Sequence, residues 1–333
     1  LQPANPSNVT IVIPVLNDWE AALLLIRQID ETAVHWQGEL HVLVVDDGST
    51  QKPDATWETF SPQKLRSVSV LTLRHNLGHQ RAIAVGLAHA QRRGSAGVVV
   101  VMDGDGEDDP RDILRLVTAS QAHAAIAFAE RTHRSEGWRF QAGYRCYQML
   151  YRLATGKSMR VGNFSAMPAA CLDRLVISPD LWNHYAAAVA RSRLPVTLVP
   201  TRRGRRIHGH PRMNMVGLVV HGLSSLAVFA DVVGVRMLAA TSAIAALGVL
   251  ITAASLLPGP LRFERLTLVA GMLTLLALQA AVLQASMMVV LLGRRSSMPV
   301  SPLHHAEQYV SWHRTIVGEP CAAWEHSRRA AAA

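Results

Sequence analysis

The residue types most able to do chemistry crowd between positions 103 and 109. Asp103, Asp105, Glu107, Asp108 and Asp109 place five acidic side chains in seven residues. Such a run repels itself unless a cation is held among the carboxylates. Oxygen-only ligands of this kind suit Mg²⁺ or Mn²⁺ and not zinc, and Mg²⁺ in such sites shares its shell with substrate phosphates. Asp108 and Asp109, just ahead of Pro110, also read as a helix cap and dipole partner, as does Asp112. A second acidic pair, Asp46-Asp47, runs into Gly48-Ser49. A carboxylate there can accept from ribose hydroxyls or base N–H groups, and Asp47-Gly48 also suits a turn. Two further polar sets complete the group, Pro14-Val15-Leu16-Asn17-Asp18 and His75-Asn76-Leu77-Gly78.

Each set follows an apolar, largely β-branched run: Val9–Val15, Leu40–Val45, Val68–Leu73 and Gly97–Met102. Helical patterns lie between them, at about Asp18–Thr32, Gly78–Arg93 and Pro110–Gln121. Strands alternating with helices predict an α/β domain with a mostly parallel sheet. Ligands of such sheets sit beyond the carboxyl ends of the strands, which is where all four polar sets fall. This domain is expected to occupy residues 1–200.

The four motifs in order are Ile13-Pro14-Val15-Leu16-Asn17-Asp18, Val44-Val45-Asp46-Asp47-Gly48-Ser49, Arg74-His75-Asn76-Leu77-Gly78-His79-Gln80 and Met102-Asp103-Gly104-Asp105-Gly106-Glu107-Asp108-Asp109-Pro110. Together they resemble the family 2 inverting glycosyltransferases of the GT-A fold. Within that family the chain is similar to the polyprenyl-phosphate sugar transferases of the dolichyl-phosphate mannose synthase-like branch, from residue 9 to about 295. The resemblance implies that Pro14, Asn17 and Asp18 line a nucleotide pocket, that Asp46 contacts the nucleoside, and that Asp47 supports that loop. Asn76 and Gly78 join the same donor-binding set. Asp103 and Asp105 become the metal and diphosphate site, with Glu107 as a further metal contact. Arg131 stands near the acceptor phosphate and completes the catalytic group with Asp103 and Asp105. The implied ligands are Mg²⁺ or Mn²⁺, a nucleotide-diphosphate sugar and a polyprenyl phosphate, and the implied assembly is a homo-oligomer, a tetramer in relatives of the branch. The chain departs from the branch at Arg160-Val161-Gly162-Asn163-Phe164-Ser165, where no acidic residue precedes Gly162. Asn163 or His184 could substitute for that residue, although both read first as structural.

Arginine is the other resource. Only three of the 33 basic residues are lysine, and guanidinium forks grip phosphate well. Arg131 and Arg145 lie on and before a helical stretch, and Arg203, Arg206 and Arg212 lie in a dense loop over 202–212. These five are the expected phosphate ligands. The loop opens a segment, 201–235, that continues as an amphipathic helix from Met213 to Val235, expected to lie in a membrane interface.

Charge is otherwise sparse, at 17% of residues, with mean hydropathy +0.17. Two stretches explain it. Met237–Leu261 and Leu266–Gly293 contain no Asp, Glu, Lys or Arg over 25 and 28 residues, each longer than the roughly 20 residues that cross a bilayer. They predict a transmembrane hairpin within 236–294, followed by a tail over 295–333. Flanking arginines place the catalytic domain and both termini in the cytoplasm, at the inner or plasma membrane. No signal peptide is read in Leu1 to Thr10. Cys146, Cys171 and Cys321 are too few and too scattered for a disulfide scaffold. The net charge of +9 is explained by arginines at a bilayer boundary, so no nucleic-acid partner is expected. Two other functions fit less of the pattern: transfer to another lipid or glycan acceptor, and a non-catalytic membrane scaffold that binds a nucleotide sugar.

Overall fold

The structure, a computed structural model, describes residues 8–94, 97–131, 138–158, 161–202, 204, 206–207, 215–256, 264–295 and 300–318. It divides into two compact units, one of residues 1–137, 159–228 and 300–333, the other of residues 138–158 and 229–299.

The first unit is built on an eight-stranded sheet. Its strands are β1 (Val9–Val15), β2 (Leu40–Asp46), β3 (Ser67–Leu73), β4 (Val98–Val101), β5 (Ile126–Arg131), β6 (Val161–Pro168), β7 (Val196–Thr201) and β8 (Val310–Val317), in the order β7-β5-β6-β4-β1-β2-β3-β8. The β1–β4 block is parallel throughout, as the spacing of strands and helices predicts. β6 runs antiparallel to both β4 and β5, and β8 runs antiparallel to β3. The result is a mixed, mostly parallel α/β domain, the architecture that the GT-A resemblance implies.

Helices α1 (Trp19–Thr32), α2 (His79–Arg92) and α3 (Asp112–His123) connect the parallel strands. Both faces of the β1–β4 sheet are covered. One core gathers Ile11, Ile13, Val42, Val44 and Val100 under α1 and α3, and the other gathers Val12, Leu43, Val45, Val99 and Val101 under α2. Burial on both faces is why these strands read as unbroken β-branched runs. Tight packing is visible at Gly86 of α2, where a side chain would meet Val12 Cγ1 of β1 and Val45 Cγ2 of β2.

The expected tail over 295–333 is corrected in part. Residues 310–317 form β8, and Val70, Leu71 and Thr72 of β3 pair with Arg314, His313 and Trp312. β3 would otherwise be an open edge, and a covering strand removes that liability. Ile316 packs against the core beneath it.

The expected interfacial helix over 213–235 is shorter. α4 (Trp138–Thr155), α5 (Ala169–Val176) and α6 (Tyr185–Ser192) precede it, and the helix itself, α7, spans Met215–Ala227. Residues 230–235 belong instead to α8 (Ala230–Leu256), which is followed by α9 (Glu264–Arg295). α7 falls in the first unit, and α4, α8 and α9 make up the second.

α8 and α9 hold two segments long and apolar enough to cross a membrane, Ala230–Ala254 and Thr267–Val289. Only 11% and 6% of these windows are buried, so they are not core helices. Leu247, Leu250, Leu268, Leu276, Leu283 and Val289 all face outward. Within this unit Arg236 donates to Leu153 O at 2.8 Å, satisfying a carbonyl in the last turn of α4.

Candidate active site at the carboxyl edge of the sheet

Strand register sets the site. Val15 of β1 lies opposite Asp46 of β2, and Val12 of β1 lies opposite Val101 of β4. The loops after β1, β2 and β4 therefore open side by side.

The first two loops are tied to each other. Asn17 has φ +54°, a conformation that Asn tolerates better than most residues. Its N–H donates to Ser49 Oγ at 2.8 Å, and its Oδ1 accepts from Gln51 N at 2.9 Å and Thr50 Oγ1 at 3.2 Å. Asp46 is buried, and its Oδ1 accepts from Ser49 N at 2.8 Å.

Asp47 reaches the other way. Its two oxygens accept from Leu77 N at 2.7 Å and Gly78 N at 3.0 Å, while Asn76 Oδ1 accepts from the same Gly78 N–H at 2.9 Å. Burial raises the Asp47 carboxyl above its ordinary value, against these two backbone donors. Asp47 is thus the support that joins the loop after β2 to the loop after β3. Gly48, at φ +73°, permits the approach, because a Cβ there would lie 2.7 Å from Asn76 N.

Asp103 and Asp105 follow β4. Asp103 Oδ1 lies 3.1 Å from His79 Nε2 and accepts from Asn163 Nδ2 at 3.1 Å. Asn163 Oδ1 accepts from Gln80 Nε2 at 3.1 Å, and Gln80 Oε1 accepts from Tyr185 N at 2.7 Å. The direction of this chain is forced. Tyr185 N–H can only donate and an ionised Asp103 can only accept, so each amide between them has one possible orientation. Burial works against a charged His79. The Asp103 carboxylate, with Asp105 and Asp47 behind it, outweighs burial and raises the His79 pKa above the ordinary imidazole value.

Asp105 Oδ1 accepts from Glu107 N at 3.0 Å, and its Oδ2 lies 3.9 Å from Arg206 Nη1. Arg206 also forms an ion pair with Asp18. Among the described residues no three His, Cys, Asp or Glu side chains gather as a metal site. An ion here would draw on two carboxylates and complete its shell with water and substrate oxygens, the habit of Mg²⁺. The donor set fits such an ion: it is carboxylate oxygen, and the Arg206 guanidinium already converges on it.

Residues 10–174 match the glycosyl transferase family 2 model. This segment is a family 2 glycosyl transferase domain. Among curated relatives, undecaprenyl-phosphate 4-deoxy-4-formamido-L-arabinose transferase of Sodalis glossinidius is 25% identical over 228 residues, 65% of this chain and 66% of that protein. The Erwinia tasmaniensis protein of the same name is 26% identical over 223 residues, 63% of this chain and 64% of its own length. The matched stretch thus spans just under two thirds of these relatives. Among solved structures, glucosyl-3-phosphoglycerate synthase of Mycobacterium tuberculosis in complex with UDP aligns with TM-score 0.49 at 17% identity, over 68% of this chain and 80% of that one.

Around this edge of the sheet the structure brings together Asn17, Asp18, Asp46, Asp47, Asn76, Gly78, Asp103 and Asp105, with Arg206 reaching in from beyond the matched segment. Pro14 lies within β1, paired with Val45. Glu107 is held through its backbone, donating to Asp105 and accepting from Gly204 N at 2.7 Å. Arg131 ends β5, opposite Thr201 of β7. Arg145 is exposed on α4, in the second unit. Arg203 and Arg212 lie outside the described residues. Asp109 and Asp112 form ion pairs with Arg111 and Arg115; α3 has Arg111 at its N-cap position and no side-chain cap, so only Asp112 in the first turn follows the dipole reading.

Three residues near the site carried no expected role. His79 and Gln80 open α2 directly after Gly78, and that position at a strand end was the available signal. His221 of α7 lies with Nε2 3.2 Å from His184 Nε2. Burial, then the neighbouring His221 and His79, hold His184 down to about 3.

Proposed function

We propose that this protein transfers a sugar from a nucleotide-diphosphate sugar to a polyprenyl phosphate at a membrane surface, inverting the anomeric carbon. The observation that carries the reading is the Asp103/Asp105 pair at the sheet edge, flanked by the Asn17–Asp18 and Asp46–Asp47 loops, in a chain whose curated relatives are undecaprenyl-phosphate sugar transferases.

The loops after β1 and β2 hold the nucleoside, with Asp46 as acceptor for ribose or base donors. Asp103 and Asp105 would hold Mg²⁺ or Mn²⁺, with Glu107 next along the loop. Such an ion supplies positive charge to a leaving diphosphate. An oxygen of the lipid phosphate attacks the anomeric carbon, the bond from that carbon to the diphosphate oxygen breaks, and the nucleoside diphosphate departs with the electron pair. A phosphate monoester is already ionised near neutrality, so no strong general base is required. That is consistent with the absence of an acidic residue before Gly162. Arg131 and Arg206 would supply the positive charge that neutralises phosphate on the two substrates.

The membrane part of the proposal rests on chain connectivity. The chain leaves the first unit after α7 and returns to it as β8, which pairs with β3. A segment whose two ends belong to one folded unit crosses a bilayer an even number of times. With α8 and α9 as the two spans, α7 lies on the surface. Its Val216, Val219, Val220 and Leu223 are exposed, while Ser225 is buried and His221 meets His184. An outward apolar face on a helix docked by its polar residues suits an interfacial helix. The arginine distribution supports a cytoplasmic catalytic unit.

The test is incubation of the full chain in detergent with polyprenyl phosphate, Mg²⁺ or Mn²⁺, and labelled UDP-, GDP- and dTDP-sugars. One donor should yield a lipid-linked product, and Asp105→Ala should abolish it. No product from any donor would favour the scaffold reading instead.

A further inference from the structure

We propose that Arg206 is the resident counter-cation of the donor site: it occupies Asp18 and Asp105 before substrate binds, and a divalent ion must displace it from Asp105. This rests on the metal reading given above and adds a competition within it.

Arg206 is not a surface side chain that happens to lie nearby. Its side chain is 15% exposed, and the Asp18 and Asp105 side chains it meets are 18% and 22% exposed. Its backbone is fastened on both sides. Gly204 N donates to Glu107 O at 2.7 Å, and Ile207 N donates to Asp105 O at 3.1 Å. Ile207 also packs against the core cluster under α1 and α3. Gly106 lies directly beneath it with φ +73°, and a Cβ at that position would collide with the Ile207 side chain. Gly204 and Ile207, on either side of Arg206, are therefore latched onto the same loop that carries Asp103 and Asp105.

Two consequences follow from charge. A guanidinium and a divalent ion cannot share one carboxylate without strong mutual repulsion at such range. Arg206 therefore lowers the affinity of the donor-free protein for the metal alone. When the ion arrives with a diphosphate, Arg206 gains a new anionic partner within reach of its latched backbone, and a guanidinium fork suits phosphate well. Arginine then moves from carboxylate to diphosphate as the metal takes Asp105. Metal and nucleotide diphosphate favour each other's binding, and that coupling is reciprocal.

The experiment measures Mn²⁺ binding to the full chain in detergent, without nucleotide, from the electron paramagnetic resonance signal of the free ion. Arg206→Gln removes the competing charge, and Mn²⁺ should bind at least about fivefold tighter, the low end of ordinary coupling between sites. Arg206→Lys keeps the charge and should stay close to the parent protein. Ile207→Ser loosens the latch by a separate route and should shift affinity in the same direction as Arg206→Gln. Asp105→Asn marks the signal that belongs to this site. Unchanged or weaker Mn²⁺ binding in both Arg206→Gln and Ile207→Ser overturns the competition and leaves the metal reading standing. No Mn²⁺ binding to the parent protein or to any variant overturns the metal reading, and the competition with it.

Discussion

Replacing Gln80 with leucine tests whether the amide chain behind Asp103 holds the site in place. Gln80 is buried and uses both ends of its amide: Oε1 accepts from Tyr185 N at 2.7 Å and Nε2 donates to Asn163 Oδ1 at 3.1 Å. Leucine fills nearly the same volume and makes neither bond. Tyr185 is fully buried, so its N–H loses its partner where water cannot replace it, and a buried unsatisfied group costs about 1–3 kcal/mol. Asn163 Oδ1 is less deeply enclosed and adds about 1 kcal/mol, for a total of about 2–4 kcal/mol. For a unit of this size that is a drop of roughly 5–15 °C in Tm. Gln80→Glu should also destabilise. It keeps the Tyr185 bond but sets its second oxygen against Asn163 Oδ1, and turning the Asn163 amide would point that oxygen at Asp103. Thermal unfolding of the full chain in detergent, followed by circular dichroism, measures both variants. A Gln80→Leu melting point within 1 °C of the parent would refute the reasoning, because it would mean that the directional chain contributes nothing to the fold.

Two other outcomes are expected. His184 sits at about 3 in the folded chain against 6.5 when exposed, so the unfolded state binds the extra proton first as pH falls. Stability attributable to a neutral His184 is present above pH 6.5 and declines progressively towards pH 3; His184→Asn should flatten that acid limb in melts recorded across this range. In a cysteine-free background, single cysteines at the exposed positions Glu58 and Gln308 should react with an impermeant maleimide from the same side of the membrane, and Arg262→Cys from the opposite side. Labelling of Gln308→Cys from the side opposite Glu58→Cys would overturn the two-span topology.

The parallel half of the fold was legible because it is local. Val9–Val15 and Val98–Val101 are β-branched nearly throughout since both faces of their sheet are covered, and each is followed by a helix of ordinary period. β6 carries no such signal. Val161–Pro168 mixes Gly, Asn, Ser and Ala, and its place beside β4 depends on an antiparallel return from elsewhere in the chain. That return is what carries Asn163 to the acidic loop. Ser165 of β6 pairs with Val101 of β4, so the start of β6 comes to the end of β4, and Asn163 arrives at Asp103. The direction of one strand thus decided what the motif alone could not, and through Asn163 it also brought Gln80 into the chain behind Asp103.

β8 shows the same limit at longer range and changes what the apolar stretches mean. Between Thr72 and its partner Trp312 lie most of the catalytic unit and both long apolar helices, so no local pattern could announce the pairing. Once it exists, the stretch that holds both apolar helices is an insertion into a folded domain, and the proposed membrane segment is not an anchor appended to its end. An anchor at the end could be lengthened by a third span without disturbing the sheet. An insertion could not, because an odd number of crossings would carry β8 away from β3 and leave that edge bare. Under the proposed topology the pairing therefore ties the number of crossings to the integrity of the sheet, and α7, whose His221 meets His184, stays in the same unit as the sheet.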